Sequence, residues 1–174
     1  MVATAQYAAP EPCNLSKLTI DEIAGKVAKM VGFCPGGSIS EIVRKLGGTI
    51  AFMRLEEWLQ HEADTIIIEG PRKFTIRLLG ADGPLRQNFT IAHELGHYIL
   101  HSRSGSLAPM IAGRKGSNRV EWEANWFAAS LLMPEDAFRK TAHQHGMTDL
   151  TLAGIFNVSL EAARLRKKVL HIGA

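Results

Sequence analysis

Apolar residues recur at helical spacing in the first third of the chain. Ile20, Ile23, Ala24, Val27 and the Met30/Val31 pair form one stripe, and Ile39, Ile42, Val43 and Leu46 form a second. Thr19 to Glu22 and Ser38 to Glu41 each read as a capping box, with a hydroxyl at the helix start and a glutamate three residues on. The pattern predicts a helix over residues 19–31 stopped by Gly32, then a second ended by Gly47 and Gly48. Beyond these glycines the period shortens. Residues 49–53 and 65–68 are short, apolar and β-branched, and residues 73–79 alternate Phe74, Ile76 and Leu78 with Thr75 and Arg77. With the turn residues 69–72 between them, the last two segments predict a β-hairpin. Helical periodicity then returns from Pro84 to His101, from Val120 to Leu132, from Pro134 to about His145, and on both sides of a short turn at residues 156–158.

This succession predicts an α+β fold: a small, mostly antiparallel sheet with a helix packed on it, flanking helices and a helical C-terminal part. Residues 1–16, with prolines and alanines but no basic n-region or apolar h-region, read as a flexible tail. Residues 17–136 form the main domain. Residues 137–174 form a helix-turn-helix-like subdomain packed on it, its last helix begun by Ser159. Residues 102–119 carry glycines, small residues and four basic side chains without period, which predicts a surface loop, as a plain connector or as a flap over a site.

Composition narrows the function classes. At 174 residues the chain suits one domain, and its 46% apolar and 21% charged residues are those of an ordinary soluble protein. The net charge of +3 gives no strong footprint for nucleic acid. No run reaches the roughly 18 apolar residues of a membrane span. Cys13 and Cys34 have no companion pair, so they make neither a disulfide framework nor a zinc ribbon. Reduced thiols and a cytoplasmic location are expected.

The chemistry concentrates at His93-Glu94-Leu95-Gly96-His97. Histidines at i and i+4 share a helix face, so both imidazoles can reach one ion, and Glu94 is placed to act as general base on a water there. The bland alternative is a chance pattern on an amphipathic helix. The helix over residues 120–132 offers a third ligand, Glu121 or Glu123, on different faces because two residues turn the helix by about 200°. Glu121 is preferred because Asn125 follows one turn later, where its amide can hold a ligand histidine from behind. Glu123 is then left as a solvated or helix-start carboxylate. His101 continues the spacing of four, but eight residues rise about 12 Å along a continuous helix, beyond the reach of bonds of about 2 Å. Residues 98–100 give no sign of a break, so His101 is read as a helix-end residue or one supporting the ligands. His143 and His145, two apart, cannot share a helix face and argue against a second metal site, although one of them could approach the first.

These residues resemble the ImmA/IrrE-like metallopeptidases of the gluzincin type. The resemblance is carried by Phe89 to His97, by His101, and by Glu121-x-x-Ala-Asn125-x-Phe127 continuing to Pro134. It implies His93, His97 and Glu121 as ligands of Zn²⁺, Glu94 as the catalytic acid/base, and cytosolic cleavage of a regulatory partner such as a helix-turn-helix repressor or antitoxin. Asn125 and His101 are expected behind the ligands. The alternative is a non-catalytic, zinc-binding regulator acting through DNA or protein. The early positions of the last helix, Leu160 to Ala163, favour packing or protein docking over base recognition.

Overall fold

The computed structural model describes residues 7–60, 65–107, 109–113 and 118–173, apart from the side chains of Trp58 and Gln60. Helices α1 (Lys17–Val31) and α2 (Ile39–Lys45) come first, then β1 (Gly48–Met53), α3 (Leu55–Gln60), and the hairpin β2 (Ile66–Gly70) and β3 (Lys73–Leu79). Helix α4 (Pro84–Gly96) runs directly into a π-helical turn, His97–His101, and β4 (Met110–Ala112) follows. Four helices complete the chain: α5 (Arg119–Leu132), α6 (Glu135–Ala142), α7 (Asp149–Ile155) and α8 (Leu160–Val169).

The strands lie in the order β1-β3-β2-β4. β2 is antiparallel to both β3 and β4, whereas β1 runs parallel to β3, Ile50 opposite Ile76. The sheet is therefore mixed, with the antiparallel pairs in the majority. The parallel pair was not legible because a crossover leaves no local turn signal. Along β3 the alternation is realised in space: Phe74, Ile76 and Leu78 are buried on the face that α4 covers. Ile91, Ala92 and Leu95 of α4 join them, and α5 and then α1 pack outward from α4. The same core continues through Leu131 and Phe138 to Leu152, Phe156 and Ala163. No described helix is long and apolar enough to cross a membrane.

Several local expectations are adjusted. The first helix begins two residues before the Thr19 box, because Ser16 is the N-cap and accepts the Thr19 N–H. Ser38 does cap α2 in position but makes no side-chain cap bond. Helix α3 was not foreseen. Strand β4 lies inside the segment expected to be a loop: three residues are too few to show a period, yet Met110 and Ala112 are buried by pairing with β2. Ala108 and residues 114–117 of that segment fall outside the described residues, as do residues 1–6 of the expected tail. Residues 7–16 are tied down rather than loose. Ala8 bridges Met110 at the sheet edge, donating to the Pro109 carbonyl at 2.7 Å and accepting the Ile111 N–H at 3.1 Å.

Candidate metal centre

Helices α4 and α5 meet at a glycine. A Cβ built on Gly96 would lie 2.9 Å from the Ala124 Cα, so a hydrogen at this position lets the two backbones come together. That approach sets the face carrying His93 and His97 against the start of α5, where Asn118 caps the helix by accepting the Glu121 N–H. Glu121 is brought to within 3.2 Å of His93 Nε2 through Oε2 and within 3.5 Å of His97 Nε2 through Oε1. The two Nε2 atoms are 3.1 Å apart.

Ligands at bonds of about 2.05 Å in tetrahedral array stand about 3.3 Å from one another. The 3.1 Å between the two Nε2 atoms is close to that value, and one ligand atom from each of the three residues lies within 4.8 Å of the others, so these residues could hold one divalent ion. Two imidazoles and a carboxylate are ligands suited to zinc, and three protein ligands leave a fourth position open.

The opposite ring nitrogens fix which tautomer each histidine adopts. His93 Nδ1 lies 3.0 Å from Asn125 Oδ1, an acceptor, so His93 carries its hydrogen there and keeps the Nε2 lone pair inward. His97 Nδ1 lies 3.0 Å from His101 Nδ1, and His101 Nε2 lies 3.1 Å from Glu123 Oε2. A carboxylate only accepts, so His101 donates from Nε2 and presents a lone pair at Nδ1. His97 must then donate from Nδ1, which leaves its Nε2 lone pair facing Glu121. His101 therefore supports a histidine, and among the described residues it shares no ligand group with His93.

Two features depart from the sequence reading. The helix does change after His97: the Ser102 N–H reaches the His97 carbonyl five residues back at 3.0 Å, and Ser102 Oγ donates to the Tyr98 carbonyl at 2.6 Å. Such π turns widen the helix and carry no compositional signal. Glu123, expected in solvent or at a helix start, is fully buried. Its Oε2 accepts the Cys13 N–H at 2.8 Å as well as His101, and its Oε1 accepts the Asn14 N–H and Arg119 Nε, both at 2.8 Å. The residues that make it structural come from the chain's N-terminal segment, more than a hundred positions away in sequence. Cys13, His101 and Glu123 also offer ligand atoms within 4.8 Å of one another. Two of the three are already bonded to each other.

The electrostatics follow this arrangement. Burial pushes His93 down, but the carboxylates of Glu121 and Glu94 and the Asn125 amide overcome it and raise the imidazole above its ordinary value. Burial, with His93 and His101 as neighbours, holds His97 well below its own. Burial also keeps His101 low despite Glu123. Burial raises Glu123, yet Arg119, the Cys13 N–H and His101 outweigh it and leave the carboxyl below the usual range. The Glu94 side chain is fully buried on the same helix, one residue from His93. His143 and His145 are exposed and do not line the groove at the site.

The model of the IrrE N-terminal-like domain, a peptidase family, matches residues 45–168, well over half of the chain. The chain belongs to the IrrE N-terminal-like peptidase family. Among similar proteins, the Metallopeptidase ImmA of Bacillus subtilis is 32% identical over 73 residues, 41% of this chain and 43% of its own length. The Radiation response metalloprotease IrrE of Deinococcus radiodurans is 29% identical over 149 residues, 83% of this chain and 42% of its own. This member thus spans less than half the length of either relative. The family match contains all three residues of the His93, His97 and Glu121 group, together with Glu94, His101, Glu123 and Asn125.

Proposed function

We propose that this chain is a zinc-dependent peptidase. The observation that carries the reading is the convergence of His93, His97 and Glu121, their ligand atoms within 4.8 Å of one another, beside the buried Glu94. Zinc bound there supplies a Lewis acid and lowers the pKa of a water in its open position. His93 and His97 hold their Nε2 lone pairs inward through the hydrogen bonds behind them. Glu94 accepts a proton from the attacking water at its carboxylate and returns it to the nitrogen of the departing amine. The family's metallopeptidase relatives support this activity over a purely structural metal, and so does a donor set of three, since structural zinc sites are closed by four protein ligands.

The substrate we propose is a cytoplasmic regulatory protein, such as a helix-turn-helix repressor or an antitoxin. This rests on the motif resemblance. Three basic residues of α8 are committed elsewhere, which favours a peptidase over a DNA reader: Arg164 and Lys167 pair with Asp149, and Arg166 is buried with Nε on the Met133 carbonyl.

The test is the Glu94→Gln protein, incubated with the regulator encoded beside it. The expected outcome is one zinc per chain, as in the unaltered protein, with cleavage abolished. Retained cleavage in the variant removes Glu94 from the mechanism, and loss of zinc assigns it a different role.

A further inference from the structure

A groove of about 1110 Å³ runs from the metal centre along α5 toward α8. His93 and Glu121 line one part of it, together with Asn125, so it reaches two of the three candidate ligands. Its walls are apolar: Leu85 and Phe89 from α4, Trp122 and Trp126 from α5, and Leu165 and Val169 from α8. On α5 the lining residues 122, 126, 129 and 133 follow the spacing of one helix face, so the wall is a strip directed away from the ligands. Helix α8 packs chiefly on α7, which leaves its 162, 165 and 169 positions turned to the groove.

Two of these side chains stand well out of the core, Trp122 at 50% and Leu165 at 59% exposure. Large apolar groups clustered at one concave surface mark a site for an apolar partner. The volume exceeds the roughly 300–1,000 Å³ of small-molecule sites, which suits a length of polymer. The charged lining residues are of both signs, Lys17, Arg86 and Arg166 against Glu121 and Glu161, so no single-sign field selects a polyanion.

We propose that this groove is the substrate cleft, and that it takes an extended polypeptide whose large aliphatic or aromatic side chain seats between Trp122 and Leu165. The proposal rests on the peptidase reading for its direction of use, because its reach to His93 and Glu121 is what names the occupant. It gives the last helix of the helix-turn-helix-like pair a task other than DNA recognition: it forms the far wall of the cleft.

The experiment uses the full chain carrying Glu94→Gln and loaded with zinc, so that binding is read without turnover. Blocked nonapeptides of alternating serine and alanine, with a central Leu, Phe, Ala, Asp or Lys, are titrated by calorimetry. The Leu and Phe peptides should bind roughly ten- to hundredfold tighter than the other three, the difference expected from burying one large apolar side chain. Trp122→Ser and Leu165→Ser, both at exposed positions, should each erase most of that preference while one zinc per chain is retained. Equal affinity for all five peptides, tighter binding of the Asp peptide, or a preference untouched by both substitutions overturns the proposal. So does a dimer that Trp122→Ser dissolves, since a second copy would then be the occupant. A preference without any cleavage by the unaltered protein keeps the cleft and removes the peptidase reading. Cleavage that is indifferent to Trp122 and Leu165 does the reverse.

Discussion

Replacing Glu123 by glutamine changes one atom and reverses a chain of hydrogen bonds that ends at the metal centre. The carboxylate accepts four donors, two on each oxygen: Cys13 N–H and His101 Nε2 on Oε2, Asn14 N–H and Arg119 Nε on Oε1. Glutamine keeps one oxygen, so its NH₂ must face two donors whichever way the amide turns. If the oxygen stays with Arg119, the NH₂ meets His101 Nε2, which must then accept. His101 moves its hydrogen to Nδ1, His97 must accept at its own Nδ1, and the His97 hydrogen is forced to Nε2, where an ion needs a lone pair. If the amide turns the other way, Asn14 and Arg119 lose their acceptor. Both donors are partly open to water, so each loses about 1 kcal/mol, the low end for an unsatisfied donor, and the pair about 2 kcal/mol. At roughly 2–4 °C per kcal/mol for a chain of this size, the melting temperature falls by about 4–8 °C. Zinc affinity, measured by competition with a chromophoric chelator on protein shown to be folded, should fall about 10- to 100-fold. Imidazole ¹⁵N shifts should show His97 exchanging its tautomer. A folded Glu123→Gln protein that keeps its melting temperature and also binds zinc within threefold of the original, with His97 unchanged, refutes the relay, because one of the two amide orientations must show its loss.

Gly96→Ala should lower stability although alanine is the better helix former. The helical gain of about 1 kcal/mol is outweighed by an overpacking cost of about 1–3 kcal/mol, since the new methyl lies 2.9 Å from the Ala124 backbone. Denaturant unfolding checks the sign, and weaker zinc binding should accompany it because α5 carries Glu121. Lys167 and Arg164 hold the Asp149 carboxyl below its ordinary range. The resulting stabilisation is complete above the unfolded value, near pH 4, and is lost as the pH falls through the lower folded one. Asp149→Asn should therefore reduce the thermal midpoint at pH 7 and flatten its decline between pH 4 and pH 2. Removing the ion with a chelator should lower the melting temperature of the zinc-loaded protein, and His97→Ala should abolish that difference; an equal shift in the variant would place the metal elsewhere.

Much of this protein was legible from one dimension. Periodicity located α4, α5 and the β2–β3 hairpin, because a helix or strand buries one face and its residues must repeat accordingly. The spacing of His93 and His97 put two imidazoles on one face for the same reason. His101 lies on the π turn, where the assumption of a continuous helix no longer holds, and its ring nitrogens face His97 and Glu123; the Asn125 amide lies against His93. Tertiary structure decided what depends on partners remote in sequence. Nothing local distinguishes Glu123 as a buried carboxylate, since its burial is made possible by the Cys13 and Asn14 amides arriving from the N-terminal segment. The π turn, the parallel pairing of β1 with β3, and strand β4 likewise answer to packing and leave no period to read. The groove along α5 exists because α8 returns to face Trp122 and Trp126 across a gap. Side-chain types and spacings specify which chemistry is available on each element. Which elements meet, and which groups are thereby desolvated and hydrogen-bonded, is settled only when the whole core closes.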